Sequence, residues 1–63
     1  MKNIDWKVGD IGYFFFTYLW QTTKATIVNI YDEYLEITDE FNNKHIVKKE
    51  EFFKTEKECE LSL

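Results

Sequence analysis

Residues 11–20, IGYFFFTYLW, carry six aromatic side chains within eight consecutive positions. Alternate residues of a β-strand face opposite sides of a sheet. In a strand over this stretch, Tyr13 and Phe15 would face one side. Phe14 and Phe16 would face the other. Whichever pair fills the core, two aromatic rings remain on the outer face, so we expect another segment to cover them or a binding partner to contact them.

The segments that follow this stretch indicate three further short strands. Residues 24–31 are rich in β-branched side chains, and residues 34–38 alternate apolar and polar positions. Clusters of Asp, Glu and Asn, which favour turns, separate the runs. The sequence therefore predicts strands at about residues 11–18, 24–31, 34–38 and 44–48.

Single residues before, within and after the strands have predicted structural roles. Ile4 and Trp6 are expected to anchor the N-terminal segment on the core. Gly12 falls inside the first strand and predicts a bulge or a sharp bend. Residues 50–53, EEFF, predict a single tight helical turn, and one or both rings of Phe52 and Phe53 are expected to pack onto the end of the curled sheet.

The apolar period changes near the C-terminal end of the sequence. Thr55 and Glu58 have the spacing of a capping box, in which the hydroxyl accepts a hydrogen bond from the backbone N–H three residues later and the carboxylate bonds back. This pattern predicts a short helix at about residues 56–62. Its inner face would carry Cys59 and Leu63, one turn apart.

Length and composition limit the class of protein. A chain of 63 residues forms one domain, here residues 1–63. With one cysteine, Cys59, and one histidine, His45, the chain offers neither an internal disulfide nor a Cys/His zinc site. We find no apolar run of membrane-spanning length and no signal peptide near Met1. The sequence predicts a cytoplasmic protein with no cofactor, no bound metal and no membrane association.

The charge balance argues against nucleic acid as a partner. The net charge is −4, and the chain contains no arginine, the usual bidentate ligand of phosphate. Lysines between residues 44 and 54 form a short basic stripe, which Glu50 and Glu51 largely offset. The lack of arginine and proline suits an AT-rich genome, such as that of a low-GC bacterium or its phage.

No set of residues predicts catalysis. His45 and Cys59 are the candidate base and nucleophile, but such a pair needs a third, orienting group and an oxyanion site within a cleft. A domain of 63 residues has little room for a cleft. We therefore predict that the protein is not an enzyme and has no catalytic residues.

The order of short strands, tight turns and one helical turn near the end resembles an SH3-like barrel. Within that class, residues 8–53 resemble Tudor and KOW-type modules. Residues 8–10, VGD, look like the Gly-Asp pair that opens the first strand, and residues 24–30, KATIVNI, are similar to the second-strand pattern. Residues 35–42, LEITDEFN, resemble the third strand and its turn. The expected fold is all-β, a small curled barrel of four to five antiparallel strands with a short C-terminal helix.

The resemblance to Tudor domains also implies a position for an aromatic cage, which would hold a methylated Lys or Arg by cation–π attraction. The implied cage positions are Thr22, Ile37 and Glu40, none of which is aromatic. Trp20 and Phe41 lie two residues and one residue away, so a cage here would have to be rearranged.

The surplus of aromatic residues predicts a non-enzymatic module that binds a protein or a peptide. An SH3-like barrel presents its ligand face near the loop after the first strand and the turn after the third. The binding residues predicted on that basis are Tyr18, Trp20, Tyr34 and Phe41. Alternatives are a homodimer through exposed aromatics, nucleic-acid binding through the lysines with base stacking, and an acidic phage-type inhibitor of a host enzyme.

Overall fold

The computed structural model describes residues 5–63 and shows one antiparallel sheet followed by a short helix. The strands are β1 (Ile11–Phe16), β2 (Gln21–Ile30), β3 (Tyr34–Asp39) and β4 (Lys44–Lys48). A 3-10 turn (Lys49–Glu51) and helix α1 (Glu56–Leu61) complete the chain. The strand order is β1-β2-β3-β4. The predicted all-β class with a C-terminal helix is confirmed, and the predicted anchor Ile4 lies outside the described residues.

The first hairpin differs from the prediction in the position of its turn. β1 ends at Phe16, because the four residues after it form a turn in which the N–H groups of Leu19 and Trp20 donate to the carbonyls of Phe16 and Thr17, at 3.1 and 3.2 Å. β2 begins at Gln21, directly opposite Phe16. The first strand is therefore two residues shorter than predicted, and the second strand begins three residues earlier than its β-branched pattern indicates.

The hydrophobic core lies against one face of the sheet. Alternate positions of β2 and β3 supply Ala25, Ile27, Leu35 and Ile37, all at most 2% exposed. Phe14 is the ring of β1 that faces them. Trp6 and Phe52 come from outside the strands and complete the cluster. The predicted anchoring role of Trp6 is confirmed.

Gly12 allows the closest approach in the core. A Cβ atom at Gly12 would lie 2.4 Å from Cε2 of Phe52 and 2.7 Å from the carbonyl oxygen of Phe53. The predicted bulge at this position is absent, since β1 pairs with β2 without interruption. The irregularity in the sheet lies instead in β2, between Ile27 and Asn29. Gly12 is needed because Phe52 occupies the space that a side chain would fill.

After the 3-10 turn the chain returns to β1. The N–H of Tyr13 donates to the carbonyl of Phe53 at 2.7 Å, and the N–H of Phe53 donates to the carbonyl of Tyr13 at 2.8 Å. These two bonds form a single antiparallel bridge. Beyond the bridge the sheet is open, and within residues 5–63 its edges are β1 and β4.

Helix α1 packs against β1 and β2 on the side opposite the core. Half of the predicted capping box is present, since the N–H of Glu58 donates to Oγ1 of Thr55 at 3.1 Å. Within the described residues, the return bond from the Thr55 N–H to the Glu58 carboxylate is not formed. Cys59 is fully buried, and the Thr22 hydroxyl lies 3.8 Å from its Sγ atom. Leu63, predicted on the same inner face, is 70% exposed, because the helix ends two residues earlier at Leu61.

Candidate functional site

The turn between β1 and β2 presents two large aromatic rings to solvent. Tyr18 is 91% exposed and Trp20 is 77% exposed. Trp20 also has a φ angle of 54°, in the left-handed region that bulky residues rarely occupy. Such a conformation costs about 1–3 kcal/mol and persists only where the surrounding structure enforces it. The strain and the exposure fall on the same residue, which makes this turn the first candidate site.

The two exposed rings rest on opposite sides of the hairpin. The ring of Trp20 meets Phe15 edge to face, with centroids 5.2 Å apart. The ring of Tyr18 meets Phe16 in the same manner, at 5.8 Å. Because Phe15 and Phe16 are consecutive in β1, their side chains point to opposite faces. A partner that contacts both exposed rings must therefore enclose the tip of the hairpin.

The four predicted binding residues are divided between two ends of the sheet. β2 begins and β3 ends at the same end, so Phe41, 65% exposed in the β3–β4 turn, lies at the end that carries Tyr18 and Trp20. Tyr34 begins β3 and lies at the other end. There it lines a shallow open cleft with residues 31–33. We define the aromatic turn surface as Tyr18, Leu19, Trp20 and Phe41.

The surplus rings of β1 are mostly covered within the chain. Phe14 is 4% exposed and belongs to the core. Tyr13 and Phe15 form the outer pair, and both are half-buried. The backbone of Phe53 forms a bridge with Tyr13, and the ring of Trp20 packs on Phe15. The exposed aromatic area of this hairpin is therefore concentrated in its turn.

A buried carboxylate organises the turn that carries Phe41. Asp39 is 5% exposed, and its Oδ1 atom accepts hydrogen bonds from the N–H groups of Phe41 at 2.8 Å and Asn43 at 3.0 Å. Its Oδ2 atom lies 2.7 Å from Nε2 of His45. The hydrogen bond with His45 and the two backbone N–H groups hold the pKa of the Asp39 carboxyl below its usual value, although burial opposes this shift.

His45 connects the two turns of the aromatic turn surface. Its ring packs on Phe14 and Phe16, with centroids 4.9 and 4.7 Å apart. Phe16 in turn supports Tyr18. This arrangement was not predicted from the sequence, which suggested His45 as a possible base for Cys59 or as an ordinary polar residue of a strand. The available signal was residues 39–43, DEFNN. Asp and Asn side chains often form hydrogen bonds to the backbone of a turn, so this composition pointed to a side chain that organises the turn.

Acid is expected to weaken the Asp39 turn. Because the pKa of Asp39 is lower in the folded state, its contribution to stability is complete above the unfolded pKa of about 3.9 and is lost as the pH falls through the folded value. Melting temperatures of the wild type and Asp39→Asn should therefore differ most near neutral pH and converge in acid. Glu40→Gln, an exposed carboxylate of the same turn, is the control. A wild-type advantage over Asp39→Asn that is unchanged in acid would contradict the assignment.

The cage positions implied by the Tudor resemblance do not form a surface site. Ile37 is fully buried in the core, and the Thr22 hydroxyl faces the thiol of Cys59 beneath α1. Only Glu40 is exposed. Among residues 5–63, we also find no group of three or more His, Cys, Asp or Glu side chains placed to share a metal ion. The aromatic turn surface therefore remains the strongest candidate site.

In the part that the structure describes, no helix has both the length and the apolar character required to cross a bilayer. Comparisons with protein-family models, with curated proteins and with solved structures find no match to this sequence.

Proposed function

We propose that this protein is a small, non-enzymatic interaction module that binds another protein through the aromatic turn surface. The observation that carries the proposal is the exposure of Tyr18 and Trp20 in one turn, at 91% and 77%. Tyr and Trp are the side chains that most often dominate the energy of protein interfaces. Phe41 extends the apolar area at the same end of the sheet.

The support beneath the exposed rings favours binding. Phe15 and Phe16 contact the rings of Trp20 and Tyr18 edge to face, and each contact favours one position of the exposed ring by about 0.5–1.5 kcal/mol. A surface that is already ordered loses less conformational entropy when it binds. The strained backbone of Trp20 also orders this surface, because it fixes the position of the ring at the tip of the hairpin.

The SH3-like barrel forms part of the same proposal. Its support is the path of the chain after β4, where a 3-10 turn leads back to β1 and Phe53 bridges to Tyr13. A return of this kind brings the last segment beside the first strand, as closure of a curled sheet requires. Gly12 permits the return, because its missing side chain leaves room for Phe52.

Nucleic-acid binding through the lysines is a less favoured function. Lys44 Nζ lies 3.5 Å from a carboxylate oxygen of Glu36, and Lys54 Nζ lies 5.8 Å from the centre of the Trp6 ring. Both cations therefore have a partner within the chain. Titration with single-stranded and duplex oligonucleotides at low salt tests this function. A complex that weakens steeply as salt rises would support it.

The proposed binding is tested with Trp20→Ala. Wild-type protein captures partners from a low-GC bacterial lysate, and the affinity of each captured protein is then measured for both forms. We expect the variant to bind about 30-fold more weakly, since an interface Trp contributes about 2 kcal/mol. Its melting temperature should change by only a few degrees, because the ring is 77% exposed.

Leu61→Ala is the matched control for the capture experiment. Leu61 is 76% exposed, is apolar, and lies on α1, outside the aromatic turn surface as defined above. This variant should bind like the wild type. Equal binding by Trp20→Ala, or its unfolding, would contradict the proposed site. Release of the partner by moderate salt instead of detergent would favour the acidic surface, as expected of an inhibitor of a basic host enzyme.

A further inference from the structure

The outer edge of β1 carries main-chain groups that have no partner in the sheet. Tyr13 exchanges both of its backbone hydrogen bonds with Phe53, so its N–H and C=O groups point away from β2. Main-chain groups alternate in direction along a strand, and Phe15 therefore points its N–H and C=O the same way. Within residues 5–63, these two groups of Phe15 face no other strand. An unpaired edge of this kind is a template for another strand.

This edge opens on a cleft of about 490 Å³. Its apolar lining comes from β1, β4 and the segments on both sides of α1, and its charged lining comes from the 3-10 turn. The main lining residues are Phe14, Phe15, Val47, Phe53, Glu50 and Glu51. The cleft thus combines an apolar wall, a free strand edge and two carboxylates.

The charge of the cleft has one sign. Glu50 and Glu51 are both exposed, and no lysine of the described chain lines the cleft. One oxygen of Glu51 accepts a hydrogen bond from the N–H of Lys48 at 3.3 Å, which holds that carboxylate at the cleft. Because the carboxylates have no cationic side chain among the lining residues, the cleft is complementary to a Lys or Arg side chain.

We propose that this cleft binds a short extended segment of another protein, one in which aliphatic residues alternate with Lys or Arg. The segment adds to the sheet as a strand at Phe15 and pairs with its free N–H and C=O groups. An aliphatic side chain packs against Phe14 and Val47, and a cationic side chain lies near Glu50 and Glu51. Main-chain pairing supplies affinity in this mode, and the side-chain contacts supply specificity.

The proposal goes beyond the function proposed above, because it uses a different surface and names the chemistry of the bound segment. A second copy of this chain fits the cleft poorly. Pairing two β1 edges would bring Glu50 and Glu51 of one copy toward the same carboxylates of the other, and like charges repel. A nucleic acid fits poorly for the same reason, since its phosphates are negative.

The test uses peptides of defined sequence and the full chain labelled with nitrogen-15. The probe is acetyl-Lys-Val-Lys-Val-Lys-amide. One control replaces each Lys by Glu, and a second keeps the sequence but carries N-methyl groups on all three Lys residues, which removes the backbone donors that face Phe15 in an antiparallel pair. We expect the Lys peptide to shift the amide signal of Phe15, to protect that amide from hydrogen exchange and to give cross-strand contacts to it. Binding of either control peptide should be at least about tenfold weaker, as expected when a strand loses its pairing or its charge complement.

A pair of charge-matched variants tests the role of the carboxylates. Glu50→Gln combined with Glu51→Gln should weaken binding of the Lys peptide by about threefold to tenfold, as expected for two partly exposed ion pairs. Glu56→Gln combined with Glu60→Gln changes the net charge equally but alters two residues of α1 that do not line the cleft, and should bind like the wild type.

Four results would overturn the proposal. They are no shift at millimolar peptide, shifts confined to residues 18–20, equal binding of the N-methylated peptide, and self-association of the chain through the β1 edge. Phe41→Ser separates the two proposed surfaces, since Phe41 belongs to the aromatic turn surface and does not line the cleft. This variant should bind the Lys peptide like the wild type, even if it no longer binds a captured partner.

Discussion

Phe52→Ala is expected to leave the chain largely unfolded at room temperature. The side chain of Phe52 is 1% exposed and is among the largest fully buried groups of the protein. Its ring lies 5.0 Å from the ring of Trp6, centroid to centroid, and fills the space above Gly12. Removing a buried phenyl ring costs about 3–5 kcal/mol. A domain of this size has a total stability of about 3–5 kcal/mol, so the loss approaches or exceeds the whole of it.

Urea unfolding followed by tryptophan fluorescence measures this effect, because Trp6 contacts the substituted residue directly. Phe41→Ala is the matched control, since it removes the same ring from a position that is 65% exposed. It should shift the melting temperature by only a few degrees. A Phe52→Ala variant that unfolds cooperatively with nearly wild-type stability would show that the core does not depend on the segment after β4.

The sheet is the part of the fold that could be predicted best from the sequence. Leu35 and Ile37 alternate with polar residues, and this pattern correctly places both in the core. Two further predictions also depended on residues that are close in sequence. They are the turn in the segment rich in Asp and Asn, and the helix cap at Thr55, and the structure contains both. Local patterns are sufficient here, because each element is formed by residues that are close in sequence.

The position of the first turn could not be predicted in the same way. The turn requires a positive φ at Trp20, and a sequence offers no sign that an aromatic residue, and not Gly or Asn, will adopt it. The pairing of Phe16 with Gln21 enforces that conformation. Once the turn falls there, Tyr18 leaves the strand and becomes a loop residue. An error of two residues at a strand end thus changed the predicted surroundings of a candidate binding residue.

The candidate site was predicted only in part, for a related reason. The ligand face of SH3-like barrels was the basis for predicting that Tyr34 and Phe41 belong to one site. In the structure, the two residues lie at opposite ends of β3. Tyr18 and Trp20 share a turn, yet they pack on opposite faces of the hairpin. These relations depend on which neighbour each ring contacts, and such contacts follow from tertiary packing. The His45–Asp39 pair, six residues apart across a hairpin, is another relation of this kind.

Gly12→Ala is expected to destabilise the protein strongly, although it adds only one methyl group. The new Cβ atom would lie 2.4 Å from the Phe52 ring and 2.7 Å from the carbonyl oxygen of Phe53. The ring cannot retreat easily, because it is buried against Trp6. The carbonyl cannot retreat either, since it accepts the hydrogen bond of Tyr13 that joins the last segment to β1. Overpacking of this kind costs about 1–3 kcal/mol or more.

The effect of Gly12→Ala can be located as well as measured. Hydrogen exchange should speed up first at the amides of Tyr13 and Phe53, whose bridge lies beside the new methyl group, while the amides between β2 and β3 keep more of their protection. Gly9→Ala is the control, because Gly9 has a φ angle of 96° but open space around its Cβ position. That variant should lose about 1–2 kcal/mol from backbone strain, without faster exchange at the bridge between Tyr13 and Phe53. Unchanged exchange of these two amides in Gly12→Ala would mean that the approach of Phe52 to β1 is not a tight contact, and the return of the chain to its first strand would then lose its main structural support.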